Sequence, residues 1–215
     1  MRKFLAISLL TAGLAAGVSA ILALGLAPGP NAMASKIGAV IKVRPVADIS
    51  SEGKTRAAKS GSPVHYKDML TTGASARLEV NLADDTKITL GEKASLTIDE
   101  FVYNPAGRNA VSAAVKGAFR FTTGLIGKAK QKEVKIQTPI ATLAVRGTDF
   151  WGGPIDGTYG VLVLKGEVSV TTAGGTAVLD QPGQGVTISA AGAAPSTPKT
   201  WSNERVARAV ATISF

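Results

Sequence analysis

The chain has 215 residues, of which 45% are hydrophobic, 5% aromatic and 18% charged, with 24 glycines and a formal charge of +9. This composition excludes a disordered tail, a collagen and a multi-pass channel, and the length suits one folded domain. With no cysteine and one histidine, His65, the sequence excludes disulfides, thiolate-bound metals, cysteine nucleophiles and any site needing two imidazoles.

Met1-Arg2-Lys3 precedes 24 uncharged residues, Phe4 to Ala27, and then a Pro/Gly/Ala segment containing Ala32 and Ala34. A basic start, an apolar run and small residues at a cleavage position predict a secretory signal peptide over residues 1–34, cut after Ala34. The apolar run also matches a hydrocarbon core of about 30 Å, so residues 4–27 retained as an inner-membrane anchor is the alternative, and membrane contact is expected only in that case. Both readings place the remainder outside the cytoplasm, periplasmic or secreted. The 181 residues after Ala34 keep a charge of +7. An exported basic protein seldom meets nucleic acid, so none is expected; a protein partner, anionic lipid or envelope polysaccharide is the expected complement.

Period-two alternation runs through most of residues 35–189 and predicts strands. Ala76 to Leu82 alternates cleanly, Ala83-Asp84-Asp85-Thr86 turns, and Lys87 to Leu90 returns the chain. Leu96 and Ile98 fall out of phase with Phe101 and Tyr103, which predicts a bulge near Asp99-Glu100. Val111, Ala113, Val115, Gly117, Phe119 and Phe121 share one face, with Lys116 and Arg120 on the other. Lys116, Arg120, Lys128, Lys130, Lys132 and Lys135, against Glu133 alone, make a candidate basic patch; a solvated strand face is the plainer reading. Further strands are expected around Val134-Ile136, over Tyr159–Leu164, and at Val168-Val170, Val178-Leu179 and Val186-Ile188. About ten short strands with no intervening helical pattern predict an all-β roll, sandwich or short β-solenoid. Residues 190–199 read as an Ala/Gly/Pro linker. Residues 200–215 switch to helical spacing, with Ser202 as N-cap and Val206, Ala209, Val210 and Ile213 on one face of a short amphipathic helix. That helix either docks on the sheet, binds a partner or lies on a membrane surface.

Thr138-Pro139-Ile140-Ala141-Thr142-Leu143-Ala144-Val145-Arg146-Gly147-Thr148-Asp149-Phe150 resembles the signature T-P-x-A-x-x-x-V-R-G-T-x-F of the FecR family. Leu82 to Leu90 is similar to the family's acidic turn, and Val163 to Val170 to its V-L-x-G-x-V-x-V hairpin; together these cover about Asp68 to Ile188. Asp149 stands where the family often has glutamate, and Asp85 where it often has glycine. The resemblance implies an envelope protein whose best-known relatives receive a signal from an outer-membrane receptor and pass it to a sigma factor, as in iron-citrate uptake. Those regulators carry a cytoplasmic anti-sigma segment before their membrane helix. Only three residues precede the apolar run here, so the expectation is a stand-alone exported domain without direct sigma-factor control.

Gly147 is expected to take a torsion or close approach that a side chain forbids, with Thr148 and Asp149 bonding freed backbone groups. Arg146, beside Ala141, Leu143 and Val145, would be costly to bury alone and is expected to pair with Asp149 or another carboxylate, or else to be a surface arginine that captures a partner's acid with Phe150 and Trp151 packing beside it. Trp151-Gly152-Gly153 is a possible binding loop. No catalytic, cofactor or metal constellation is apparent. His65 reads as a strand or loop residue, and the pairs Asp84-Asp85 and Asp99-Glu100 are explained by a turn and a kink. The sequence thus points to a non-enzymatic binding or signal-relay module acting on an envelope protein, with a scaffold for peptidoglycan or anionic polysaccharide as the alternative.

Overall fold

The computed structural model describes residues 35–215, and the leader or anchor reading of residues 1–34 lies outside them. Among the described residues, the strands are β1 (Lys36–Arg44), β2 (Ala47–Ser51), β3 (Lys54–Ala57), β4 (Pro63–His65) and β5 (Met69–Thr72). They continue as β6 (Arg77–Leu82), β7 (Lys87–Leu90), β8 (Ser95–Val102), β9 (Asn109–Lys116), β10 (Phe119–Thr122) and β11 (Lys132–Gln137). The chain ends with β12 (Thr142–Ile155), β13 (Thr158–Thr172), β14 (Gly175–Leu179), β15 (Gln184–Ile188), β16 (Lys199–Thr200) and the helix α1 (Asn203–Ala211). The fold is all-β with one C-terminal helix, as expected. It has sixteen strands against the ten anticipated; among those that alternation does not mark, β3 is exposed throughout, and β1 mixes exposed and buried positions without a period.

All strands join one sheet, whose main path runs β3-β2-β5-β8-β9-β11-β12-β10-β7-β6-β1-β4, with β13 paired to β12, β14 and β15. The two ends of that path, β3 and β4, are separated by only the five residues 58–62. The ladder therefore has to curl back on itself into a roll, with its concave face inside. Arg56 on β3 donates to the Pro63 carbonyl of β4 at 2.6 Å across this seam. The Asp68 carboxyl, fully buried, accepts from the His65 amide at 3.0 Å and lies 3.5 Å from Arg56. His65 thus serves a strand end, in keeping with its sequence context.

The alternating apolar residues converge on one core. Leu78, Val80 and Leu82 of β6 meet Ile88 and Leu90 of β7, Leu96 and Ile98 of β8, and Phe119 and Phe121 of β10. Each such side chain contributes about 1.5–3 kcal/mol on full burial. The register of β8 against β9 slips between Ile98 and Glu100, so the phase change read from the sequence is a bulge.

A smaller core lies on the convex side. Trp151, Ile155, Leu162 and Ala118 of the sheet are covered by Trp201, Ala209 and Ile213. Residues 190–199 are pinned rather than free: Ser196 donates its amide to the Thr187 carbonyl and accepts from the Thr187 amide, and β16 then extends β15. Ser202 caps α1 by accepting from the Arg205 amide at 3.3 Å. Trp201 fills a recess that two glycines leave open, since a Cβ on Gly160 or Gly185 would fall 2.7 or 2.3 Å from its ring. Arg205 stacks on Trp201 at 4.3 Å, Arg208 holds Asp156 at 2.9 Å, and the Trp151 indole donates to Thr212 Oγ1 at 2.9 Å. The helix is docked. Since the two tryptophans, Trp151 and Trp201, both belong to this core, Ala209→Arg should undock α1 and red-shift tryptophan emission while the far-ultraviolet β signal persists. Unchanged emission would show that the helix contributes no cover.

Candidate functional site

The signature folds as the turn between β11 and β12 followed by most of β12. Thr138 closes the turn: its hydroxyl accepts from the Ala141 amide at 3.0 Å and donates to the Ala141 carbonyl at 2.9 Å, while its own amide donates to that carbonyl at 2.8 Å. Pro139 presets the following torsion. Ala141 and Val145 then face the core, and Leu143 is fully buried.

β12 changes partners along its length. Residues 142–144 pair with β11, whereas residues 149–152 pair with β10. The change falls at Gly147. Against β13, Arg146 lies opposite Glu167 and Asp149 opposite Lys165, so Gly147 and Thr148 together face Gly166 alone; Phe150 opposite Val163 restores the register by leaving Leu164 as an extra residue on β13. These are two compensating bulges. Gly147 has φ +61° and Gly166 φ +82°, both in the left-handed region, and a Cβ on Gly166 would sit 2.5 Å from the Gly147 carbonyl oxygen. The Thr148 hydroxyl donates to the Glu167 carbonyl at 2.7 Å and the Thr123 amide donates to the Thr148 carbonyl at 2.9 Å, so the interrupted ladder keeps its hydrogen bonds.

Arg146 meets another carboxylate, not Asp149, and does so at the surface. Its side chain is 76% exposed, and its nearest acid is Glu167 at 3.7 Å. It alternates away from the core residues Leu143 and Val145, so no burial cost demands a partner. Asp149 instead holds Arg120 of β10 through two bonds, 2.8 Å to Nε and 2.6 Å to Nη2, and accepts from Thr122 Oγ1 at 3.1 Å. Bonding to Asp149 raises the guanidinium pKa of Arg120. A bidentate pair of this kind fixes the register of β10 on β12.

Phe150 is fully buried, 5.7 Å and edge-on to Phe119 and 5.9 Å from Phe121. The binding-loop reading of Trp151-Gly152-Gly153 is corrected: all three are buried strand residues of β12. The glycines serve close approach, not mobility, since a Cβ on Gly152 would lie 2.8 Å from the Phe119 ring and one on Gly153 2.6 Å from Ala118. The single basic patch is corrected too. β9 and β11 are parallel with Lys132 opposite Asn109, which sets Lys116, seven residues on, about 23 Å farther along the sheet. Arg120 is occupied by Asp149, and Lys132 donates to the Gly127 carbonyl. Lys128, Lys130 and Lys135 remain as exposed charges.

One residue has a larger role than its sequence context indicated. The fully buried Asp84 carboxyl accepts from the Thr86 amide (3.1 Å), the Thr86 hydroxyl (2.7 Å) and the Ile126 amide (3.2 Å), and its carbonyl accepts from Leu125 at 2.7 Å. It ties the β6–β7 turn to the segment after β10. The sequence showed the turn, but the partner forty residues away left no local signal. Among the described residues, no group of three or more His, Asp or Glu side chains is placed to hold a metal ion.

This geometry defines an all-β module organised on a bulged signature hairpin. Residues 68–169 match the family described as FecR protein. Two crystal structures of a candidate anti-sigma factor from Parabacteroides distasonis ATCC 8503 share the fold, each with a TM-score of 0.53 at 18% identity. The match covers 65% of this chain and 62% of that protein, so this chain spans less than two thirds of its length. No curated protein matches the chain.

Two tests follow. Gly166→Ala should destabilise more than Gly147→Ala, since it adds a clash with backbone to a strained torsion; Gly147→Val should cost about 1–3 kcal/mol, or several degrees of melting temperature. Equal, negligible losses would refute the bulge account. Asp84→Ala should cost about 2–4 kcal/mol by stranding buried donors, whereas Asp85→Ala, at an exposed turn position, should cost under about 1 kcal/mol; denaturant melts compare the two.

Proposed function

We propose that the protein is a non-enzymatic relay module of the bacterial envelope, working outside the cytoplasm by binding a protein partner. The match of residues 68–169 to the FecR family carries this reading, because the family's members are regulators that pass signals by contact. The fold shared with a candidate anti-sigma factor supports the same class of role. Among the described residues no helix is long and apolar enough to cross a membrane.

The contact is assigned to a sheet edge. β14 pairs only with β13 among the described strands and carries Gly175, Thr176, Ala177, Val178 and Leu179 without a charge, Val178 being 48% exposed. The edge β3, by contrast, is guarded by Lys54 and Arg56. An uncharged edge admits an added strand, and a lysine on it repels one.

The purified protein should retain an envelope partner at about 0.5 M salt, where exposed charges are screened, and Thr176→Lys with Val178→Lys should abolish retention while leaving the fold intact by circular dichroism. Retention only on isolated peptidoglycan, lost between low and moderate salt, would instead favour the scaffold alternative acting through dispersed basic residues.

A further inference from the structure

Ser35 opens onto a groove of about 470 Å³ at one end of the roll, walled by Ile37, Tyr66, Phe101, Val102 and Tyr103. Two of the chain's three tyrosines stand here, and both are exposed. The Tyr66 amide donates to the Ser35 carbonyl at 2.9 Å and its hydroxyl to the Asp99 carbonyl at 2.7 Å, which ties the start of β1 and the end of β4 to β8. β5 pairs with β8 only as far as Thr97, so no strand covers Phe101 and Val102 on that side. Lys36 lines the groove, and Lys67 stands over the Tyr66 ring at 5.3 Å. Of the two acids beside them, Glu100 is held by Arg108 at 2.7 Å and Asp99 is exposed.

The chain's own path into this groove indicates what covers it. Seven residues, 28–34, separate Ser35 from the uncharged run Phe4 to Ala27. They can span at most about 25 Å, whereas a domain of this length is roughly 40 Å across. With residues 4–27 held in a bilayer, that tether is too short to bring the opposite end of the roll to the lipid, and the Ser35 end faces the headgroups. The same tether keeps the groove at a high local concentration beside the membrane, so a weak interfacial affinity suffices. The side chains suit that place: a tyrosine sets its ring at the edge of the acyl region with its hydroxyl among headgroups, and a lysine extends its ammonium to lipid phosphate.

We propose that this end of the roll is a bilayer-contact surface, with Tyr66 and Tyr103 seated at headgroup depth and Lys36 and Lys67 on lipid phosphates. The strand registers keep the β14 edge clear of it. Val102 lies opposite Ala110, which pairs with Glu133, whereas Thr176 is level with Thr171, Thr142 and Gln137, four residues and about 13 Å farther along β11. A roll seated this way presents β14 away from the lipid, where a protein can reach it. The inference rests on the envelope reading and on retention of residues 4–27.

The test uses the full chain in nanodiscs of phosphatidylglycerol and phosphatidylcholine, the latter brominated at the top of its acyl chains. Tyr103→Trp should add emission that the bromines quench at least twofold, after subtraction of the unaltered chain with its own Trp151 and Trp201. Val178→Trp, on β14, should add emission that they leave unquenched. In the Tyr103→Trp background, Tyr66→Asp should remove most of the quenching, and Lys36→Gln with Lys67→Gln should weaken it while leaving the melting temperature unchanged. Quenching no greater in Tyr103→Trp than in Val178→Trp, in a chain that floats with vesicles, would overturn the contact and leave the anchor standing. Quenching that survives both sets of substitutions would mean that the tether alone brings residue 103 to the lipid, and the surface claim would fail. A chain that does not float with vesicles would overturn the anchor and this proposal together. None of these results bears on partner retention at the β14 edge, which capture at high salt reads separately.

Discussion

One strand has to serve two ladders. β12 carries the wall of the roll from β11 to β10, and its register against β13 is broken by a bulge where that change occurs. The interruption falls at Gly147, with φ +61°, facing Gly166, with φ +82°. On one side of it the turn-forming Thr138-Pro139 sets β11 against β12; on the other, Asp149 clamps Arg120 and Phe150 joins Phe119 and Phe121. The stretch from Thr138 to Phe150 is thus the local sequence of a partner switch, its turn, core contacts, torsion and clamp supplied by Thr138, Val145, Gly147, Asp149 and Phe150, while Arg146 faces outward.

Much of this is legible in the amino-acid sequence. Alternation exposes the core faces of β6 to β10, the phase change marks the bulge at Ile98/Glu100, and the spacing of Val206, Ala209, Val210 and Ile213 marks the helix. The early strands are not legible, because β3 is exposed on both faces and so has no period to read. Glycines suggest a loop at Trp151-Gly152-Gly153, whereas they admit the Phe119 ring and Ala118. A glycine looks the same in sequence whether it frees the chain or lets something press against it. The long-range partners, Asp84 with Ile126 and Asp149 with Arg120, lie beyond any local pattern.

The convex cap adds a second level. The main core belongs to the sheet alone, but Trp151 of the signature strand is covered only because Trp201 and α1 close over it. A cap held by seven buried side chains and a few rim contacts is weaker than the roll beneath it, and elements of that kind are the ones that move first. β14 offers its uncharged edge elsewhere on the same sheet.

The central claim is that the two halves of β12, though paired to different strands, form one cooperative unit across the Gly147 bulge. Native-state hydrogen exchange tests it directly. Amides of Leu143 and Val145 on one side, and of Phe150 and Trp151 on the other, should open with the same free energy, equal to that of global unfolding. Two clearly separate opening energies would mean that the bulge divides the sheet into independent parts, and the account would fail.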